Sequence, residues 1–442
     1  MTTQRTTAPS QNATSPAELA ARTWDVLVIG AGPAGATAAG LFAQRGLRVL
    51  AIDKDEFPRF HIGESLLPMS LPILEQLGVP PDEDVFVFKQ GAEFLCEATG
   101  RKRQFVFTET LPGCGRHAWH VDRARFDRAM RDAAVRNGAV VHHGETIIDA
   151  GVDATSAFMQ TRTHTFRGRY LIDASGQSRL LARRANAAVP YENFGRCSVF
   201  THYEGIGDEA WDELGPGKNI RIVLCAGGWG WVIPLPDRRL SVGLVGRTKI
   251  TETELQQHLL SGPLVTRLTK GASRLETRVI GNFSYRNQAP HGARFCCLGD
   301  AACFLDPVFS SGVTLAMAGA QRIVDLVAPA LRDGREAEPT LLDANEVEMD
   351  RAYRTFAGLI DRFYNSHFAE TIFLGPPSEN VEMRRGIMSV LAGDVWRSGN
   401  VFQDMLLSAR RNENRQRAAA QPPATPPTAP QPTAAKASPS HG

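Results

Sequence analysis

Residues 26–29 (Val26-Leu27-Val28-Ile29) make a β-branched, apolar run suited to a strand buried on both faces. A glycine-rich turn, a small-residue helical stretch and a second apolar run at 49–52 follow, ending in Asp53. That order predicts a βαβ unit. Apolar positions at Leu66, Leu67, Leu71, Ile73, Leu74 and Leu77 predict a helix. Residues 84–94 mix aromatic and β-branched side chains around Lys89, and 94–107 read as an exposed antiparallel strand pair. A helix from about 120 to Asn137 stops at Gly138, a strand covers 139–142, and a hairpin runs through Ile147 and Phe166. The run 169–173 returns to the first lobe and ends at Asp173. Strand-like runs at 197–203, 220–225, 229–234 and 240–245, with a helix near 252–260, predict an antiparallel sheet. A buried strand at 294–298 closes on Gly299-Asp300, a helix follows at 313–331, and helical stretches at 345–368 and 381–391 form a C-terminal cap.

The fold class predicted is α/β: a Rossmann-like dinucleotide-binding lobe, an antiparallel β-sheet substrate lobe and a helical cap. Boundaries follow the pattern. Residues 1–22 form a polar, disordered tail; 23–188 and 284–340 form the dinucleotide-binding lobe, and 189–283 the sheet lobe. The cap is 341–411, and 412–442 is a Pro- and Ala-rich tail without apolar periodicity. With 442 residues the chain is long enough for two lobes, and a net charge of +2 gives no argument for nucleic acid or an anionic membrane. Seven cysteines without a CxxC pair or metal-ligand cadence point to free thiols and no metal site. No signal peptide or bilayer-spanning run is apparent, so the expected location is cytoplasmic.

Within the βαβ unit, Gly30 allows the tight turn, Gly32 lets backbone approach a pyrophosphate beside Ala34, and Gly35 lets helix and strand pack closely. Three strands end in acid-bearing turns: Asp53, Asp173 with Gly176, and Gly299-Asp300. Strand-ending acids also serve as helix caps, but three together favour an extended cofactor, FAD rather than NAD. A second GxGxxG unit is missing, so electrons arrive as free reduced flavin from a partner or from a nicotinamide that docks transiently.

Three local matches resemble the flavin-dependent halogenases, within the flavin monooxygenases of the hydroxybenzoate-hydroxylase fold. Trp229-Gly230-Trp231-Val232-Ile233-Pro234 is similar to the family's WxWxIP signature. The run from Phe304 through Pro307, Ser310, Ser311 and Gly312 fits its FxxPxxSxG pattern. Lys89, in Phe88-Lys89-Gln90-Gly91, stands where its catalytic lysine is expected. Arg59 to Ser65 and the segment from Arg123 also look like flavin-site segments, and Val313 follows the glycine at the flavin. The resemblance implies FADH2 from a partner reductase, O2 and chloride or bromide as co-substrates. It places halide at the amides of Ser311 and Gly312, and implies that Lys89 aims the resulting hypohalous acid at an aromatic substrate.

Each match has a plainer alternative. Two tryptophans at i and i+2 share one strand face; they bar substrate from the flavin, or they are core aromatics. The amides before the helix at Val313 form an anion site, or only cradle flavin oxygen. Lys89 lies among Val85, Phe86, Val87 and Phe88 with a depressed pKa, or it snorkels to solvent. Large side chains of the cap, Phe363, Tyr364, Phe368 and Phe373, line a substrate cavity or simply pack helices. One departure matters: the tryptophan-type members carry a glutamate where this chain has Phe309. The branch acting on electron-rich phenols or pyrroles therefore fits better, with a substrate free or tethered to an acyl or peptidyl carrier protein. The rivals are a halide-independent monooxygenase or reductase of the same fold, and a silent flavin-binding protein.

Overall fold

The structure is a computed structural model that describes residues 14–191, 197–225, 228–246, 249–281 and 284–409. Thr23–Ile29 is the hub of the first sheet, with Thr165–Asp173 and Val49–Asp53 parallel on its two sides. Phe295–Cys297 and Val140–His143 extend this parallel core outward, and Asp149–Val152 and Ala157–Gln160 add an antiparallel edge. Every residue of Val26–Ile29 except the last is wholly buried, which explains an apolar run with no polar alternation. The helix Pro33–Gln44 covers one face and packs on the long helix Ser311–Asp333.

The second sheet runs Ser273–Arg274, Cys197–Glu204, Arg239–Gly246, Gly228–Leu235, Ile220–Cys225, Gly91–Cys96, Arg101–Val106, with Arg278–Gly281 beside Cys197–Glu204. Two strands of it come from far upstream. Gly91–Cys96 and Arg101–Val106 form the expected antiparallel pair, with Arg101, Lys102 and Gln104 exposed on the edge strand, but the first also pairs in parallel with Ile220–Cys225, and Phe94 and Phe105 are buried in the shared core. The sheet lobe is thus built from two separated stretches, and its one parallel pairing departs from the antiparallel expectation.

Two further differences concern the ends. The tail 412–442 and residues 1–13 lie outside the described residues, but Pro16–Ala20 is a helix, contrary to a disordered stretch through residue 22. A Ser15–Glu18 capping box starts it, and the Trp24 indole donates to Leu19 O. In the cap, the helical stretch expected over 345–368 breaks: Asp343–Phe363 ends, and Asn365 accepts from Phe368 N to begin Ser366–Phe373. Among the described residues, no helix is long and apolar enough to cross a membrane.

Candidate active site

The C-terminal ends of the parallel strands and the inner face of the second sheet enclose a cavity of about 500 Å³. Gly30, Gly32 and Ala34 line one end with Asp53, whose Oδ2 accepts from Ala31 N at 2.6 Å. Gly35 lies behind the turn, where a Cβ would stand 1.9 Å from Gly30 O, so only glycine lets helix and strand meet there. Gly299 and Asp300 form part of the wall, and desolvation pushes the Asp300 carboxyl up to about 7, against the opposing charge of Arg123. Pro307, Ser311, Gly312 and Val313 line the far end beside Trp229 and Trp231.

Asp173 is the exception. Its carboxylate is fully buried, accepts from Ser175 N at 3.0 Å and Leu181 N at 2.8 Å, and does not line the cavity. The acid at that strand end caps its own turn, while Ser175 and Gly176 present backbone to the cavity. Contrary to the expectation from its strand-end position, the Asp173 side chain serves that turn and not the cleft.

Arg59, Ser65 and Arg123 stand on the third side. Arg123 forms a two-pronged pair with Asp127 at 2.8 and 3.0 Å, and Arg59 reaches the same carboxylate at 3.4 Å. Among the described residues, Arg59 Nε, Glu64 Oε2 and Ser65 Oγ are buried without a hydrogen-bond partner, and all three residues line the cavity. The helices Pro33–Gln44 and Ser311–Asp333 also start without a side-chain cap. Unpartnered donors and acceptors around a long cleft, with two open helix N-termini, fit a polyhydroxylated, doubly phosphorylated cofactor such as FAD.

Trp229 and Trp231 lie on Gly228–Leu235 with ring centroids 5.8 Å apart, both buried and both against the cavity. Gly243 on the neighbouring strand makes room, since a Cβ there would meet the Trp231 ring at 2.3 Å. Lys89 does not line this cavity and does not snorkel. It is 1% exposed, its Nζ donates to Leu66 O at 2.8 Å and sits 5.3 Å from the Phe107 centroid, and desolvation pushes its pKa down to about 7.

Three interactions escaped the sequence reading. His120 is wholly buried opposite Val87, diagonal to Lys89 across the strand pair; its Nε2 meets Lys218 O at 2.9 Å and its Nδ1 has no partner among the described residues. Desolvation and the Lys89 charge hold it far below the usual histidine range, so it is neutral. Glu64 accepts from His202 at 2.7 Å, and Tyr364 joins Trp229 to Asp306. The strand pairing of 86–89 with 118–121 could have flagged His120; nothing local marks the partners of Tyr364.

With this geometry, the sequence profile of the tryptophan halogenase family matches residues 25–116 and 109–375. The chain belongs to that family. A 1H-pyrrole-2-carbonyl-(peptidyl-carrier protein) brominase of Pseudoalteromonas luteoviolacea is 28% identical over 414 residues, 87% of this chain and 97% of that one. The corresponding chlorinase of Pseudomonas fluorescens is 27% identical over 408 residues, covering 84% and 90%. Among solved structures, a flavoprotein/dehydrogenase of Cytophaga hutchinsonii superposes with a TM-score of 0.77 at 28% identity, covering 90% and 100%. The flavin-dependent brominase Bmp2 gives 0.73 at 25%, covering 89% and 100%. The chain is thus a halogenase, and solved neighbours such as Bmp2 are flavin-dependent.

Proposed function

We propose that this halogenase chlorinates or brominates an electron-rich ring, a phenol or pyrrole, presented on a carrier protein, in the cytoplasm. The observation that carries the reading is Lys89: a buried amine with a pKa of about 7, outside the flavin cavity whose wall is Trp229 and Trp231. The pyrrole-carrier relatives, which span nearly the whole chain, support the substrate class. Seven free cysteines support a reducing compartment.

FAD would be held with its phosphates at Gly30, Gly32 and Ala34, its ribose at Asp53 and the remainder along Arg59, Ser65, Arg123, Gly299, Asp300, Pro307 and Val313. When bound in its reduced form with O2, it supplies the oxidising power that turns halide into hypohalous acid. Ser311 and Gly312, the first residues of their helix, offer amides and the positive dipole end to the halide. Trp229 and Trp231 keep the organic ring away from the flavin. Burial lowers the Lys89 pKa to about 7, so both the ammonium and the amine are accessible near neutral pH. The ammonium donates to the hypohalous oxygen and aims the halogen; the amine can instead form an N–halogen bond with release of water. Orienting two reactants contributes on the order of 7–11 kcal/mol in favourable cases.

Phe309 explains the restriction to activated rings. It is buried against Phe363 and Phe373 at 5.6 and 5.7 Å, so position 309 carries no carboxylate to take the ring proton. Phe363 and Phe373 are themselves core packing, which favours the plainer account of the cap aromatics. The test is turnover with pyrrolyl- and phenol-loaded carrier protein, a flavin reductase, and bromide, chloride or no halide. Mass spectrometry should show the halogen isotope doublet only with halide. An oxygenated product formed equally well without halide would replace this reading with that of a monooxygenase.

A further inference from the structure

The two wall tryptophans are held differently. Trp231 is fixed from within its sheet, its Nε1 donating to Ser241 Oγ at 3.0 Å. Trp229 is held from the cap: its Nε1 donates to the Tyr364 hydroxyl at 3.1 Å, and that hydroxyl donates to Asp306 Oδ2 at 2.7 Å. Asp306 is 1% exposed, and its Oδ1 accepts from Val308 N at 3.1 Å, inside the turn leading to Ser311 and Gly312. Tyr364 is also the C-cap of Asp343–Phe363. One phenol therefore touches the wall, the approach to the halide turn and the helical cap.

We infer that Tyr364 is a positioning residue that holds Trp229 in the wall and ties the cap to the halide turn through Asp306. The inference rests on the halogenase reading of the site. Removing the hydroxyl leaves a buried indole N–H without this acceptor, and a buried carboxylate without this donor. The indole regains a partner only by moving, which opens the wall. The Asp306 charge, less compensated beside the turn, opposes an anion at Ser311 and Gly312.

Tyr364→Phe tests this while keeping the ring, which packs edge-on against Phe363 at 5.8 Å. The first readout needs no cofactor: the indole N–H resonance of Trp229, identified by its loss in Trp229→Phe. It should shift upfield and exchange faster with water in Tyr364→Phe, with the other indole resonances unmoved as evidence of an intact fold. The second is the bromide concentration for half-maximal halogenation by the FAD-loaded enzyme, which should rise about tenfold. The fraction of reduced flavin that yields halogenated product should fall. Part of the substrate is then hydroxylated instead, one oxygen atom of O2 entering a ring C–H bond and the other leaving as water, with two electrons from reduced FAD. An unmoved Trp229 resonance overturns the inference outright; a moved resonance with a superimposable bromide curve overturns the link to the halide turn. If the wild-type enzyme shows no bromide dependence, the halogenase reading fails, and the resonance alone still decides whether Tyr364 holds the wall.

Discussion

Lys89→Met removes a buried charge and nearly nothing else. The methionine keeps an unbranched chain of similar reach, so the surrounding Leu66 and Phe107 need not move. A fall in pKa from 10.5 to about 7 corresponds to about 5 kcal/mol against the buried ammonium, at ~1.36 kcal/mol per unit. The lost hydrogen bond to Leu66 O offsets about 1–2 kcal/mol of that. At pH 6, where the lysine is charged in both folded and unfolded chains, the variant should be more stable by about 3 kcal/mol. Between pH 7 and 10.5 the folded chain binds fewer protons here than the unfolded one, so wild-type stability climbs relative to the variant as pH rises. Near pH 10 the advantage should be gone. Urea unfolding of both proteins at pH 6 and pH 10 reads the difference. Halogenated product should be absent from Lys89→Met while reduced flavin is still consumed. A stability difference that does not change with pH would show that Lys89 carries no buried-ammonium cost. Product from the variant would remove it from the chemistry.

Gly35→Ala should weaken FAD binding by at least about tenfold in a fluorescence titration, because the new methyl meets the Gly30 carbonyl, which is backbone and cannot turn aside. Gly243→Ala drives a methyl into the Trp231 ring; it should cost ~1–3 kcal/mol in urea unfolding and raise flavin consumption per halogenated product. Asp127→Asn leaves Arg123 and Arg59 without their shared, fully buried carboxylate, an expected loss of ~3–5 kcal/mol, seen as a lower unfolding midpoint. An unchanged midpoint would show that solvent already screens the pair.

Much of the flavin lobe was legible because its signals are local. A strand buried on both faces has to be apolar throughout, and a backbone that approaches phosphate has to be glycine, so Val26 to Asp53 could be read in order. The turn from Pro307 to Gly312 and the Trp229–Trp231 pair, both on the cavity wall, were legible for the same reason, each being a run of neighbouring residues. Asp173 misled because an acid at a strand end looks identical whether it binds a ribityl hydroxyl or caps its own turn. Its direction is set by Leu181 N, eight residues on.

The fold class and the glycine turn after the first strand could be read from the chain alone, since each depends on neighbours within a turn or a strand. Only the tertiary structure decided that Gly91–Cys96 leaves the first lobe for the second sheet, that Lys89 is sealed from water, and that Tyr364 reaches Trp229 across 135 positions. Burial and long-range hydrogen bonds arise where separate elements meet, and no local pattern of side chains encodes which distant surface will cover a residue.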